Sequence, residues 1–161
     1  MRLRVPFVPT PQPVVRKMLE LAGASANDVV YDLGCGDGRI VITAVKEFNV
    51  KKAVCVELRD DLIEALKITI EQEGLTDRIE IRHQDMFETD LSDATIVTLF
   101  LLTSVNDELA PKFERELKPG ARIVSHEFKI TRWLPLVSAT VYDGHVSHNI
   151  YLYVHGYSNR A

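Results

Sequence analysis

An apolar run that breaks into three alternating glycines is the feature that most constrains this chain. Residues 29–33 read Val-Val-Tyr-Asp-Leu, glycines follow at positions 34, 36 and 38, and a helical apolar pattern starts at Ile40. Strand, glycine loop and helix form a turn at which a ligand approaches bare backbone at a helix N-terminus. Arg39 stands where a dinucleotide fingerprint needs its third glycine, and no Gly-Lys-Ser/Thr follows. Neither a dinucleotide site nor a Walker phosphate loop is therefore expected.

Acidic side chains flank this loop and indicate the charge of its ligand. Asp32 and Asp37 would repel a pyrophosphate and attract a ligand that carries an amine and a sulfonium. S-adenosylmethionine has both groups, together with a ribose diol and an adenine. The alternative is a tight turn in an unrelated α/β protein. The predicted cofactor contacts in the loop are Asp32, Gly34, Cys35, Gly36, Asp37 and Gly38.

Repeated strand–helix units predict an α/β fold. Strands are expected at 28–33, 53–57, 78–83, 94–100, 121–128, 137–142 and 148–155, and helices at 11–22, 39–48, 60–73 and 104–117. Alternating units favour a doubly wound, mostly parallel, seven-stranded Rossmann-like sheet, and the last two strands favour a C-terminal antiparallel hairpin. Residues 1–161 form one predicted domain, in which residues 1–10 are a proline-containing arm. Thr10 is the predicted N-cap of the first helix, and Ser104 with Asp107 the predicted capping box of the last.

The end of the second predicted strand carries a further candidate. Glu57 lies 19 residues after Gly38 and follows an apolar stretch. An acid at this place accepts both ribose hydroxyls, as in dinucleotide folds. Leu58 then offers an apolar face to the adenine. The alternative is a solvated surface glutamate.

The stretch Asp-Leu-Gly-Cys-Gly-Asp-Gly at 32–38 resembles motif I of class I S-adenosylmethionine-dependent methyltransferases. The resemblance implies that Asp85 accepts a hydrogen bond from the adenine amino group, that Met86 supplies a backbone amide and that Phe87 forms an apolar wall. The Asn/Asp-Pro-Pro-Tyr/Phe motif of adenine and glutamine methyltransferases is absent after the fourth strand, as are the metal-binding acids of catechol-type enzymes. No metal is expected.

Three further stretches, at 7–11, 98–103 and 125–128, narrow the resemblance. Together with motif I they are similar to the compact archaeal protein-lysine methyltransferases and their mitochondrial relatives, which methylate lysines of ATP-synthase and carrier proteins. The resemblance implies methylation of lysine ε-amines in basic, chromatin-type proteins with little sequence demand. Phe7 stands where relatives often have Tyr. Phe7, Phe100 and Glu127 are the substrate-channel candidates, and Thr10 and Pro11 are expected against the cofactor.

No obligatory general base is predicted, because an apolar channel and the nearby sulfonium both favour a neutral lysine amine. His126 and Glu127 are adjacent in a strand, so their side chains are expected on opposite faces unless a bulge intervenes. His145 and His148 are expected to face solvent, without a third ligand at metal spacing.

The charge distribution indicates which class of molecule the protein acts on. The net charge is −4, and residues 85–111 hold six acids and no Lys or Arg. Lysine-rich proteins are therefore expected as substrates and direct nucleic-acid binding is not. The chain is also expected to be a cytoplasmic monomer with reduced Cys35 and Cys55 and no membrane span. The alternatives are an RNA or small-molecule methyltransferase and a non-catalytic S-adenosylmethionine-binding regulator.

Overall fold

The computed structural model describes residues 7–160 of the chain. Within them, an α/β domain contains four α-helices, seven strands and two short 3₁₀ turns, at Met86–Glu88 and Ser158–Arg160. The helices are α1 Gln12–Leu21, α2 Arg39–Phe48, α3 Asp60–Gln72 and α4 Thr103–Glu116. The strands are β1 Val29–Leu33, β2 Lys52–Glu57, β3 Ile79–His83, β4 Ile96–Leu99, β5 Arg122–His126, β6 Val137–Asp143 and β7 Val146–Val154.

The strands form one sheet in the order β3-β2-β1-β4-β5-β7-β6. Strands β1 to β5 are parallel, and β7 lies antiparallel between β5 and β6. The order reverses between β1 and β4, so their connections leave in opposite directions and open a crevice at the carboxyl ends. The predicted doubly wound sheet with a C-terminal antiparallel hairpin is confirmed.

Helices cover both faces of the sheet, which explains the continuous apolar runs of the central strands. Alternate residues of β1 enter different cores, with Val30 packing beside α1 and α2, and Tyr31 and Leu33 packing beside α4. This alternation is the two-residue period of a strand. Both cores therefore hold the carboxyl end of β1, and the loop that follows it, in a fixed position.

Two predicted helix starts are wrong, and in each case a distant partner takes the capping side chain. Pro11 rather than Thr10 is the N-cap of α1, and the Thr10 hydroxyl lies 3.2 Å from His126 Nδ1. Helix α4 starts at Thr103 without a side-chain cap. The Asp107 carboxylate instead accepts bonds from the backbone N–H and the hydroxyl of Thr131, at 2.8 and 2.7 Å.

The two cysteines form a disulfide, so the prediction of two reduced thiols is wrong. Cys55 pairs in register with Asp32 on the neighbouring strand, and the N–H groups of Gly34 and Cys35 both donate to the Val56 carbonyl. These bonds curl the glycine loop back toward β2, so the Cα atoms of Cys35 and Cys55 lie 5.3 Å apart. A separation of 20 residues in the sequence does not reveal this proximity.

We expect the disulfide to stabilise the fold. Closing a loop of this length restricts the unfolded chain and contributes about 3 kcal/mol to the free energy of unfolding. Dithiothreitol should therefore lower the denaturant midpoint of the wild type and leave unchanged that of a Cys35→Ala/Cys55→Ala double variant. An equal midpoint for the wild type with and without the reductant would contradict the expectation.

None of the helices in the described part of the chain is long and apolar enough to cross a membrane.

Candidate active site

A cavity lies at the crevice where the strand order reverses. Five segments line it: the end of the arm, the glycine loop, the end of β2, the turn after β3 and the stretch after β4. The lining residues are Phe7, Val8, Pro9, Thr10, Asp32, Gly34, Cys35, Gly36, Asp37, Arg39, Ile40, Val56, Glu57, Leu58, Arg59, Gln84, Asp85, Met86, Phe87, Phe100, Leu101 and Val105. All predicted cofactor-binding residues except Pro11 and Gly38 are among them.

The glycine loop needs its glycines for space as well as for conformation. Gly36 and Gly38 have φ values of 60° and 83°, in the left-handed region. A Cβ atom at Gly36 would overlap the ring of Phe7, and one at Gly38 would overlap Leu66 of α3. Gly38 is thus a packing residue just outside the cavity, and Gly36 lets the arm close on the loop.

The Glu57 carboxylate connects the end of β2 with the glycine loop. Its Oε1 accepts a bond from the Gly36 N–H at 2.8 Å. Its Oε2 accepts bonds from the N–H groups of Leu58 and Arg59, at 3.0 and 3.1 Å. A carboxylate oxygen has two acceptor directions, so Oε1 keeps one free while both directions of Oε2 are in use. The oriented carboxylate can therefore still accept a bond from a ribose hydroxyl in the cavity, and the surface alternative is disfavoured.

Asp32 is buried at the end of β1, and burial raises its pKa to about 8. The Thr98 hydroxyl donates to its Oδ1 at 2.9 Å and opposes this rise, whereas the nearby carboxylates of Glu57 and Asp37 add to it. Asp32 is therefore protonated at neutral pH in the free protein. A cation in the cavity would favour its ionised form.

Arg39, the first residue of α2, joins the glycine loop to the arm. Its guanidinium forms an ion pair with the Asp37 carboxylate at 2.6 Å and donates to the Thr10 carbonyl at 3.0 Å. Burial raises the pKa of Asp37, but hydrogen bonds from Arg39 outweigh it and hold the pKa below its usual range. Sequence reasoning used Arg39 only to exclude a dinucleotide and missed this role.

The turn after β3 forms the wall opposite the glycine loop. The Asp85 Oδ1 accepts a bond from the Phe87 N–H at 2.9 Å and so caps the 3₁₀ turn. Met86 and Phe87 are half-buried on the same wall. Gln84 also lines the cavity and was missed, because its exposed position gives no sequence signal.

The end of the arm closes one side of the cavity. Phe7 packs against the backbone of Gly36, and Thr10 is buried with its hydroxyl directed at His126. Val8 and Pro9 complete this wall. Pro11 lies outside the lining, and its carbonyl accepts bonds from the first turn of α1. Residues 1–6 of the predicted arm lie outside the described residues.

Phe100 separates the cavity from a buried histidine at the end of β5. The rings of Phe100 and His126 lie 3.9 Å apart, and His126 Nε2 lies 2.8 Å from His148 Nδ1. Burial, together with the charge of His148, lowers the pKa of His126 to about 4. His148 is half-buried against His126, which corrects its predicted exposure, whereas His145 is exposed.

Glu127, unlike Phe7 and Phe100, is not part of the cavity lining. Its backbone has φ 70°, and the Phe128 N–H donates to the His126 carbonyl at 2.9 Å. This is a classic γ-turn, a strained conformation. The Glu127 Oε1 accepts a bond from the Asn149 amide at 3.1 Å. The turn interrupts the alternation of β5 side chains between the two faces of the sheet. The Glu127 carboxylate therefore lies close to the imidazoles of His126 and His148.

Known proteins resemble both the sequence and the fold. Residues 32–137, which include the glycine loop, Glu57 and Asp85, match the ANTKMT methyltransferase domain. The chain belongs to this methyltransferase family. The matched residues include most of the strand ends and loops that line the cavity, and the arm lies outside them.

Individual relatives differ in their described substrates. A protein-lysine N-methyltransferase of Saccharolobus islandicus (strain REY15A) is 58% identical over 152 residues, 94% of each chain. The adenine nucleotide translocase lysine N-methyltransferase of Mus musculus is 32% identical over 84% of this chain and 58% of its own length. The chain thus spans little more than half the length of the mouse protein. A crystal structure described as an RNA methyltransferase from Salinibacter ruber, in complex with S-adenosyl-L-homocysteine, has a TM-score of 0.84 and 44% identity, and the match covers 91% of this chain and 93% of that one.

Proposed function

We propose that this protein transfers the methyl group of S-adenosylmethionine to lysine ε-amines of proteins. The observation that carries the proposal is the 58% identity, over 94% of both chains, to a protein-lysine N-methyltransferase. The bound S-adenosyl-L-homocysteine of the Salinibacter ruber relative supports the choice of cofactor. The cavity adds the matching chemistry, because its acidic, polar and apolar groups suit the three parts of that molecule.

Each part of the cofactor has a set of residues suited to it. We place the ribose diol on Glu57 and the adenine among Leu58, Asp85, Met86 and Phe87. The cationic methionine group is then directed toward Asp32, the glycine loop and the end of the arm at Thr10. Asp37 faces Arg39 and acts in this arrangement by holding the loop and the arm together.

The reaction needs little from the protein besides alignment. The lone pair of the lysine nitrogen attacks the methyl carbon in line with the sulfur, the carbon–sulfur bond breaks, S-adenosylhomocysteine leaves, and the amine releases a proton. A lysine amine has an ordinary pKa of about 10.4, so the channel must favour the neutral form. Phe7 and Phe100 offer apolar walls for this purpose. The low pKa of His126 makes that imidazole a weak base, which supports a mechanism without an obligatory base.

Binding of the cofactor should release a proton from Asp32. The pKa of Asp32 is about 8 in the free protein, and the α-ammonium of S-adenosylhomocysteine would lower it. Affinity should therefore rise as the pH increases toward 8. Calorimetry near neutral pH, in two buffers of different ionisation enthalpy, should show proton release for the wild type and less for Asp32→Asn. Equal proton release by both proteins would contradict this role.

Acidic side chains next to the cavity favour a cationic protein substrate. Glu88 and Asp90 are exposed directly after the Asp85–Phe87 wall. We call Glu88 and Asp90 the acidic rim. Negative charge beside the cavity attracts positively charged partners and raises their encounter rate, and salt screens this effect. We therefore propose lysine-rich, flexible protein segments, those of chromatin-type proteins among them, as preferred substrates.

Reversing these charges should weaken methylation of a basic protein without affecting the cofactor. Glu88→Lys/Asp90→Lys should raise the KM for the protein several-fold at low salt, and the difference should shrink at high salt. Glu20→Lys/Glu71→Lys is the matched control, since these exposed acids lie toward the C-terminal ends of α1 and α3. Those helix ends lead into the amino ends of β1 and β3, and the cavity lies at the carboxyl ends of the strands. A similar KM for both double variants would contradict the proposed rim.

RNA is the second candidate substrate, because the relative with 44% identity is described as an RNA methyltransferase. A net charge of −4 and an acidic rim disfavour a polyanion at this cavity. Purified RNA in the same assay separates the two candidates. Label in RNA and none in protein would replace the lysine proposal.

A further inference from the structure

Three side chains behind Phe100 bring metal-ligating atoms together outside the cofactor cavity. They are His126 at the end of β5, Glu127 in the following γ-turn and His148 on β7. One ligand atom from each lies within 4.8 Å of the other two. His126 is buried and the other two are half-buried. None of the three lines the cavity.

The backbone strain at Glu127 is what assembles this cluster. In a regular strand, Glu127 would point away from His126. The γ-turn instead directs its carboxylate toward β7, where Asn149 holds it. A non-glycine residue with positive φ costs conformational energy, and such outliers concentrate at binding sites.

Two nitrogens of the cluster, one from each imidazole, face each other. His126 is held between the Phe100 ring and the Thr10 hydroxyl, so its Nε2 has a fixed direction. That nitrogen faces His148 Nδ1 at 2.8 Å. Two nitrogens on a tetrahedral zinc ion lie about 3.3 Å apart, as zinc–nitrogen bonds of about 2.0–2.1 Å require. A small rotation of the half-buried His148 side chain would widen the separation of the two nitrogens to this distance.

We propose that His126, Glu127 and His148 bind one divalent first-row transition-metal ion, with zinc as the reference ion. Two imidazoles and one carboxylate are a common ligand set for such ions, and three protein ligands leave one position open for water. The ion would fasten the end of β5 to β7. Through the bond between His126 and Thr10 it would also hold the end of the arm against the cavity. It takes no part in the methyl transfer itself.

Metal titration of the full chain tests this site. After dialysis against EDTA and without reductant, ZnCl₂ should bind with one ion per chain in calorimetry, and CoCl₂ should give the visible absorption of a low-coordinate cobalt site. Glu127→Gln and His148→Ala should each weaken zinc binding at least roughly tenfold, which is the loss seen when even an outer-shell partner is removed. Circular dichroism establishes that each variant is folded.

His145→Ala is the matched control, since His145 is an exposed histidine at the turn of the same hairpin. It should bind zinc like the wild type. Absence of saturable binding, equal weakening in His145→Ala, or weakening in only one of the two ligand variants would overturn the site. The histidines would then form a metal-free hydrogen-bonded pair. Should His148→Ala fail to fold, Glu127→Gln with its control decides the question.

Discussion

Removal of residues 1–10 should lower the rate of methyl transfer by about 100-fold, the cost of a small misplacement of reacting groups. The end of the arm packs Phe7 on Gly36 and is held by Thr10, which contacts both Arg39 and His126. Helix α1 keeps its buried residues in a protein that starts at Pro11, so the fold should survive. Transfer of labelled methyl to a basic protein, together with calorimetry of S-adenosylhomocysteine binding, measures the effect.

A shorter truncation, of residues 1–6 only, is the control because it retains every described contact of the arm. It should keep more activity than the longer truncation. Wild-type activity in the protein that starts at Pro11 would show that the arm does not complete the active site. Unfolding of that protein would instead assign the arm a role in stability.

Glu57→Ala should weaken cofactor binding by ~1.5–3 kcal/mol, the range for a hydrogen bond to a charged group. Two losses combine in this variant. The ribose loses its acceptor, and the N–H of Gly36 loses the carboxylate oxygen that holds the glycine loop to β2. Calorimetric titration with S-adenosylhomocysteine at constant salt gives the change.

Two variants make the Glu57 result specific. Glu57→Gln keeps one acceptor oxygen and should lose less affinity than Glu57→Ala. Glu64→Ala removes an exposed glutamate of α3 and should bind like the wild type. An unchanged dissociation constant in folded Glu57→Ala would return Glu57 to the role of a surface residue.

Local patterns in the sequence predict most of this fold. The apolar run before Gly34 identifies β1 because both faces of that strand are buried, and Ile40 begins the apolar side of α2. The sequence also predicts that Glu57 lies beside the glycine loop, because the carboxyl end of a parallel strand has a known place in the fold, and Glu57 does line the cavity. These features depend on neighbours in sequence and on general rules for parallel sheets.

Features that depend on distant partners were not predictable. The contact between Thr10 and His126 joins residues 116 positions apart, and it removes Thr10 from the predicted cap of α1. The positive φ at Glu127 has no signal in its residue type, because glutamate rarely adopts it. The disulfide likewise depends on the curl of the glycine loop toward β2.

The most direct measurement of the proposed activity locates the transferred methyl group. The wild type and Glu57→Ala are incubated with labelled S-adenosylmethionine and, separately, with a basic protein, RNA or buffer, and modified peptides are sequenced by mass spectrometry. We predict methyl groups on lysine ε-amines of the protein, more for the wild type than for the variant, and no label in RNA. Label in RNA alone would contradict the proposed function. Methylated lysines in equal amounts with both enzymes would contradict the proposed role of Glu57 in cofactor binding.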